Sequence, residues 1–368
     1  MTSPLPVRPT LIPGLPILWR DRHTVQLGLD PTHSTVLDLA HPVLAEVLPL
    51  LDGEHTEPAL LRKAAQWGIP DPHTRALVHT LRQAGLLLPR DELYPARSST
   101  ATRRRLTHEA GHLALHTSGA TPAARLRLRH NARITITGAG RIAAPLTVAL
   151  ADSGIGHLHA AIDGVVTPTD LALGILTGAD LGSPRRAAIA AAARRAAPDV
   201  STASIAAGQA HLVVHLGLDR PTGLIALGHA RRRRPHLLIA VRDATIAVGP
   251  LVPPSGGPCL RCVELHRSDR DPDWPELARQ LPDHGPEGSS AASLLAATAY
   301  ACEQILAFVE GDRCGLIGTS TTFGHRGGPY RRRWPGHPRC SCGVGGQPPA
   351  KLVGQPTPTG ATVTSGCQ

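Results

Sequence analysis

The sequence predicts an α/β chain: a mostly parallel sheet with crossover helices and a metal staple, preceded by a small winged helix-turn-helix domain. Three observations carry this prediction. From Arg133 onward, short β-branched runs alternate with Gly turns and helical stretches. Four cysteines in the last third form two close pairs, Cys259-Leu-Arg-Cys262 and Cys340-Ser-Cys342. Residues 9–95 read as short strands followed by three short helices.

Composition narrows the classes. A chain of 368 residues has room for two or three domains, and 42% hydrophobic residues suffice for proper cores. The formal charge is +10, but only Lys63 and Lys351 are lysines. That arginine preference, beside abundant Ala, Gly, Pro and Leu, looks like the coding bias of a GC-rich genome and is weak evidence for nucleic acid. No apolar run approaches the roughly 20 residues of a bilayer span. The start MTSPLPVRPT lacks the pattern of a secretory signal. The expectation is a cytoplasmic chain with no membrane partner. Seven cysteines, an odd number crowded toward the C-terminus, argue for a local site over a disulfide framework.

Taken in order, Trp19–Asp30 alternates at strand period through Val25, Leu27 and Leu29, and Ser34–Leu39 reads as a second strand. His41–Leu51 reads as a helix with Val43, Leu44, Val47 and Leu48 on one side. Thr56, with Pro58 in the first turn, opens another that Gly68 ends, and Asp71-Pro72 starts a third that stops at Gly85. This is residues 1–95, the predicted winged helix. Residues 96–130, with RSSTATRRR and ARLRLRH, read as a basic linker holding one helix. Residues 131–343 form the α/β domain, with strands at 133–137, 157–162, 211–216 and 236–241 and a helix over Ser290–Val309. The Gly/Pro/Thr-rich 344–368 read as a disordered tail.

Gly138-Ala-Gly140-Arg-Ile-Ala143 follows a strand and opens a helix, the placement that lets backbone amides approach phosphate oxygens. Asp163 ends the next strand, where a carboxylate could accept ribose hydroxyls. Together these predict a Rossmann-type sheet. The alternative is that the glycines serve strand-to-helix packing alone while Arg141 fills the phosphate position. The four paired cysteines, Cys259, Cys262, Cys340 and Cys342, can surround one zinc ion tetrahedrally. A fourth protein ligand closes that site and makes it structural.

These features resemble the ThiF/MoeB superfamily of ubiquitin-activating-type adenylating enzymes, over residues 133–342. The matching features are the GAGRIA loop, Asp163, LGSPRR at 181–186, Asp219 and the split cysteine pairs. The resemblance implies ATP held by Gly138, Gly140 and Asp163, phosphate contact from Arg185, magnesium positioned by Asp219, and homodimerisation. Two departures point away from activity. Leu171–Gly178 has no arginine where active members carry a triphosphate clamp, and 266–290 has no cysteine for a thioester. These predict an adenylation-degenerate protein.

Residues 9–95 resemble the PqqD-like peptide-recognition domain, on the strand pair, LLDGEHT at 50–56 and LRQAGLLL at 81–88. The resemblance implies that a leader peptide adds as an extra strand beside Thr24–Leu29, on Thr24, Val25, Gln26, Leu27 and Leu29. The fused pair looks like the partner protein of azoline-forming cyclodehydratases, which presents a precursor peptide to a YcaO-type enzyme. Two alternatives stand beside it: an ATP- and magnesium-dependent adenylyltransferase acting on a carboxylate, and a DNA-binding regulator. The third helix offers only Arg75 and Arg82 to DNA. The segment 262–277 is either a docking loop or a solvated loop, and Arg331–Arg333 read as a solvated face.

Overall fold

The computed structural model describes residues 8–30, 34–206, 208–217, 234–280, 288–324 and 328–342. Asp219 and the predicted tail lie outside the described residues.

The first unit begins with β1 (Pro9–Leu11), β2 (Ile17–Trp19), β3 (Thr24–Leu27) and β4 (Thr35–Asp38). The expected single strand from Trp19 is a hairpin. Asp21 accepts the backbone N–H groups of His23 and Thr24 at 2.8 and 2.9 Å, which turns the chain between β2 and β3. The three strands pair in the order β2-β3-β4, all antiparallel. The predicted helix at His41–Leu51 is instead a 3-10 helix, Pro42–Leu50, with Pro49 inside its last turn. Helices α1 (Glu57–Gln66) and α2 (Asp71–Gln83) follow, and β5 (Leu87–Pro89) returns to pair with β1. Val25, Leu27, Leu48, Leu60 and Leu81 form the core of this unit.

The stretch 96–130 differs from the expected linker. After the short turn α3 (Arg90–Leu93) it holds three helices, α4 (Thr100–Arg105), α5 (Thr107–His116) and α6 (Pro122–Asn131). They enclose a small core of their own with Leu106, Ala110, Leu113 and Leu126. Four of their arginines, Arg103, Arg105, Arg125 and Arg129, are ion-paired. Arg103 meets Glu54 of the first unit at 3.1 Å, and Arg105 meets Asp199 of the α/β domain at 2.9 Å. Gly111 of α5 lies so close to Pro13 that a Cβ would fall 2.3 Å from its carbonyl oxygen. These helices therefore join the two units.

The α/β domain is a seven-stranded sheet in the order β12-β11-β10-β9-β8-β6-β7. The strands β6 (Arg133–Gly138), β7 (His157–Ala161), β8 (Leu212–Leu216) and β9 (His236–Arg242) are mutually parallel. Helices α7 (Ala143–Asp152) and α8 (Arg185–Ala196) belong to this parallel half. Then β10 (Thr245–Val252), β11 (Thr319–Phe323) and β12 (Tyr330–Arg333) extend the sheet antiparallel. Only β10 and β12 run against the rest, so the sheet is mostly parallel, as the sequence predicts.

Helices α9 (Leu260–Arg270), α10 (Trp274–Gln280) and α11 (Ala291–Glu310) complete the domain. The charged segment 262–277 thus spans α9, the turn at 271–273 and the start of α10, pinned where the Trp274 indole donates to Glu264. By length and apolarity α11 could cross a membrane, a run the composition reading does not find. It packs Leu294, Ala297, Ala301 and Ile305 into the domain core with Ile134, Leu146, Val214 and Ile246.

Candidate functional site

The Gly turn joins β6 to α7. Gly138 has φ +103°, and a Cβ there would fall 2.1 Å from the Leu216 carbonyl oxygen of β8. That glycine is required by strand packing. Gly140 has φ +146° and open space around its Cβ position, so its side of the turn faces outward. Arg141 spans the turn, donating to the carbonyls of Ser289 at 2.7 Å and Thr169 at 3.2 Å.

Asp163 is exposed just beyond β7. Its carbonyl accepts from Arg185 Nη1 at 3.4 Å, so the structure brings the Gly turn, Asp163 and Arg185 to one end of the sheet. A residue missed by sequence reasoning changes the chemistry there. Asp170 pairs with Arg185 Nε at 3.0 Å and accepts both the backbone N–H and the hydroxyl of Thr167 at 2.8 Å. Its place three residues after Thr167 is the signal of a capping box. The arginine-free segment that follows turns apolar side chains inward, with Leu176 buried in the core and Leu171 and Leu173 packed against it.

Burial alone would raise the Asp170 carboxyl, but the Thr167 hydrogen bonds and the Arg185 guanidinium outweigh it and hold it below the usual carboxylate range. A depressed pKa contributes stability that is full above the unfolded value of about 3.9 and fades as pH falls through the folded one. Asp170→Asn is therefore expected to flatten the acid limb of the stability curve, read as urea midpoints between about pH 2 and 5. An unchanged limb refutes the pairing.

The four paired cysteines converge. Sγ–Sγ distances are 3.9 Å for Cys259–Cys262, 3.6 Å for Cys259–Cys340 and 3.5 Å for Cys262–Cys342. All four lie within 4.8 Å of one another. A tetrahedron with metal–sulfur bonds of about 2.3 Å has edges of about 3.8 Å, so the residues fit zinc. Cys259 caps α9 and Cys262 sits in its first turn, aiming the positive helix end at the thiolates. The Cys259 thiol's hydrogen bond holds Cys262 down at about 4, and the same bond pushes Cys259 up. Burial pushes Cys340 up to about 11. Left to themselves the four sulfurs share charge unequally, and only a dication among them stabilises four thiolates together.

Beside them His337 is buried and braced. Its Nδ1 accepts the Arg339 N–H at 3.1 Å, which leaves Nε2–H to donate to Asp269 at 2.7 Å. The ring of His266 meets it edge-on at 4.7 Å. The signal for this bracing is His337 lying three residues before Cys340 in HPRC.

The peptide edge requires a correction. Thr24, Val25, Gln26 and Leu27 form the central strand, with β2 paired on one side and β4 on the other, and Leu29 projects into solvent beyond it. The reading of Thr24–Leu29 as an open edge misses the hairpin at Asp21.

Sheet order, Gly turn and the four-cysteine cluster together define a ThiF-like α/β fold. Solved structures that share it include E. coli MccB with ATP (TM-score 0.57, 16% identity, 91% of this chain and 99% of that one). The microcin C7 biosynthetic enzyme MccB in complex with N-formylated MccA matches at TM-score 0.57 and 17% identity, covering 92% and 99%. PaaA matches at TM-score 0.57 and 16% identity, covering 87% and 98%. At such identities the likeness establishes the fold. No protein-family model and no curated protein matches the chain.

Proposed function

We propose that the chain is a leader-peptide-binding, ThiF-like partner protein in the biosynthesis of thiazole/oxazole-modified or related ribosomally made peptides. It captures the precursor on its PqqD-like first unit and presents it to a YcaO-type enzyme, working as a zinc-stapled homodimer. The observation that carries this reading is that Arg185, assigned to phosphate, and Arg141 of the Gly turn are both engaged within the chain. Arg185 is neutralised by Asp170, and Arg141 is spent on two carbonyls. Phosphate transfer chemistry needs positioned, available cations, and here that grip is taken. Peptide handling is supported by MccB, which has been solved with MccA.

In the three-stranded sheet of the first unit, the open edges among the described residues are the outer strands, β2 and β4. Leu39 N–H bonds the His23 carbonyl and Arg20 N–H the Thr24 carbonyl, so alternation turns the main chain of Val36 and of Ile17 outward. Fluorescence anisotropy with the precursor peptide encoded beside this chain is expected to show saturable binding, weakened at least about tenfold by Val36→Pro or by Ile17→Pro. Absence of saturable binding overturns the proposal.

A second reading, ATP-dependent adenylation of a carboxylate, is favoured by the open side of Gly140 and by the ATP-bound MccB of the same fold. Pyrophosphate exchange separates the two. Robust exchange lost in Asp219→Ala makes the chain an adenylyltransferase.

A further inference from the structure

We propose that the outer edge of β12 docks an acidic, extended peptide segment, which adds to the seven-stranded sheet as an eighth strand. This surface is independent of the leader-binding reading, which concerns the first unit.

Among the described residues β12 ends the sheet, paired on one side with β11. Trp334 N–H bonds the Gly318 carbonyl at 2.8 Å. By the alternation of an antiparallel ladder, Arg332 and Tyr330 turn their main-chain groups toward β11, and Arg331 and Arg333 turn theirs outward. Two N–H and two C=O groups thus stand ready for another strand. The side chains on this edge are Tyr330, 58% exposed, and three consecutive arginines.

Two of those arginines are held in place before any partner arrives. Arg332 lies over the Trp334 indole at 4.3 Å, and Arg331 donates to the Gly315 carbonyl at 2.7 Å. Among the described residues no carboxylate pairs with Arg331, Arg332 or Arg333. The neighbourhood adds to the excess: Arg267 also faces Trp334, and it shares Trp274 with Arg242, while Glu264 bonds both Trp274 and Arg267.

Charge chooses the occupant. A second copy pairing through β12 would bring three more arginines to the same edge. The chain's own residues 343–368 contain no Asp or Glu. Nucleic acid phosphates could meet the guanidinium groups but would leave the outward carbonyls of Arg331 and Arg333 without donors. A peptide satisfies both demands at once, main chain to main chain and carboxylates to arginines. Arginine on an open edge also repels other sheets, so the same charges that prevent aggregation select an acidic strand.

The test is fluorescence anisotropy on the full chain with a fluorescein-labelled hexapeptide alternating Glu and Val. Saturable binding is expected, about tenfold weaker in Arg333→Glu and retained in Arg333→Lys. The same peptide N-methylated at alternate residues should bind about tenfold more weakly, an arm that needs no variant to fold. Absence of saturable binding, or equal binding of the N-methylated peptide, overturns the proposal. Tighter binding of an oligodeoxythymidylate than of the peptide also overturns it and assigns the edge to nucleic acid.

Discussion

Glu310→Ala is expected to cost about 3–5 kcal/mol of unfolding free energy. Glu310 closes α11, and its side chain is 4% exposed. One carboxylate oxygen sits 2.8 Å from Arg125 Nη1 and the other 2.6 Å from Arg129 Nε, both on α6. Arg125 also pairs with Asp312, and Arg129 with Glu109 at 2.5 Å. Removing Glu310 leaves two buried guanidinium groups with only the more exposed Asp312 and Glu109 to oppose them. The penalty comes from stranded charge, since an intact buried pair gains little net energy over an apolar replacement. Urea unfolding checks it, with a lower midpoint at unchanged slope. Glu310→Gln should also destabilise, because the amide keeps the shape and loses the charge. Glu109→Ala, at a side chain 32% exposed, should cost less. A Glu310→Ala chain as stable as its parent would show that α6 does not need this anchor.

Loss of the metal is the second large effect. The purified protein is expected to carry about one zinc ion per chain by elemental analysis, and Cys262→Ser to carry none. Folding free energy tied to a structural zinc reaches about 10–16 kcal/mol in isolated fingers. Here the effect should be confined to what the cysteines join, the start of α9 and the turn after β12. The sheet core of Ile134, Val214 and Ile246 stands without them. Chelation should therefore lower the melting temperature and release α9 to fast hydrogen exchange while leaving β6 and β8 protected. A metal-free protein with an unchanged melt refutes the assignment.

The parts legible in the sequence are those with local causes. The β-branched run at 133–137, the Gly turn and the paired cysteines each carry their geometry within a few residues, and the structure places each accordingly. The rest depends on partners distant in sequence. Arg103, Arg105, Arg125 and Arg129 read as part of a basic linker, because their carboxylates, Glu54, Asp199 and Glu310, lie far along the chain. Asp170 escapes a sequence reading because its partner, Arg185, carries a phosphate assignment there. Asp21 shows the reverse case, a local turn signal hidden inside a run that otherwise alternates like a strand.

The helices between residues 100 and 131 have a mechanical consequence. Anchored to Pro13 and Glu54 on one side and to Asp199 and Glu310 on the other, they form a packed joint where a linker with one helix was expected. Under the proposed leader-binding role, a peptide held on the front unit would not swing freely. It would leave that unit at a set bearing to the sheet, so the length of its free portion, like thread paid out from a clamp, would decide which of its side chains arrives at the next station.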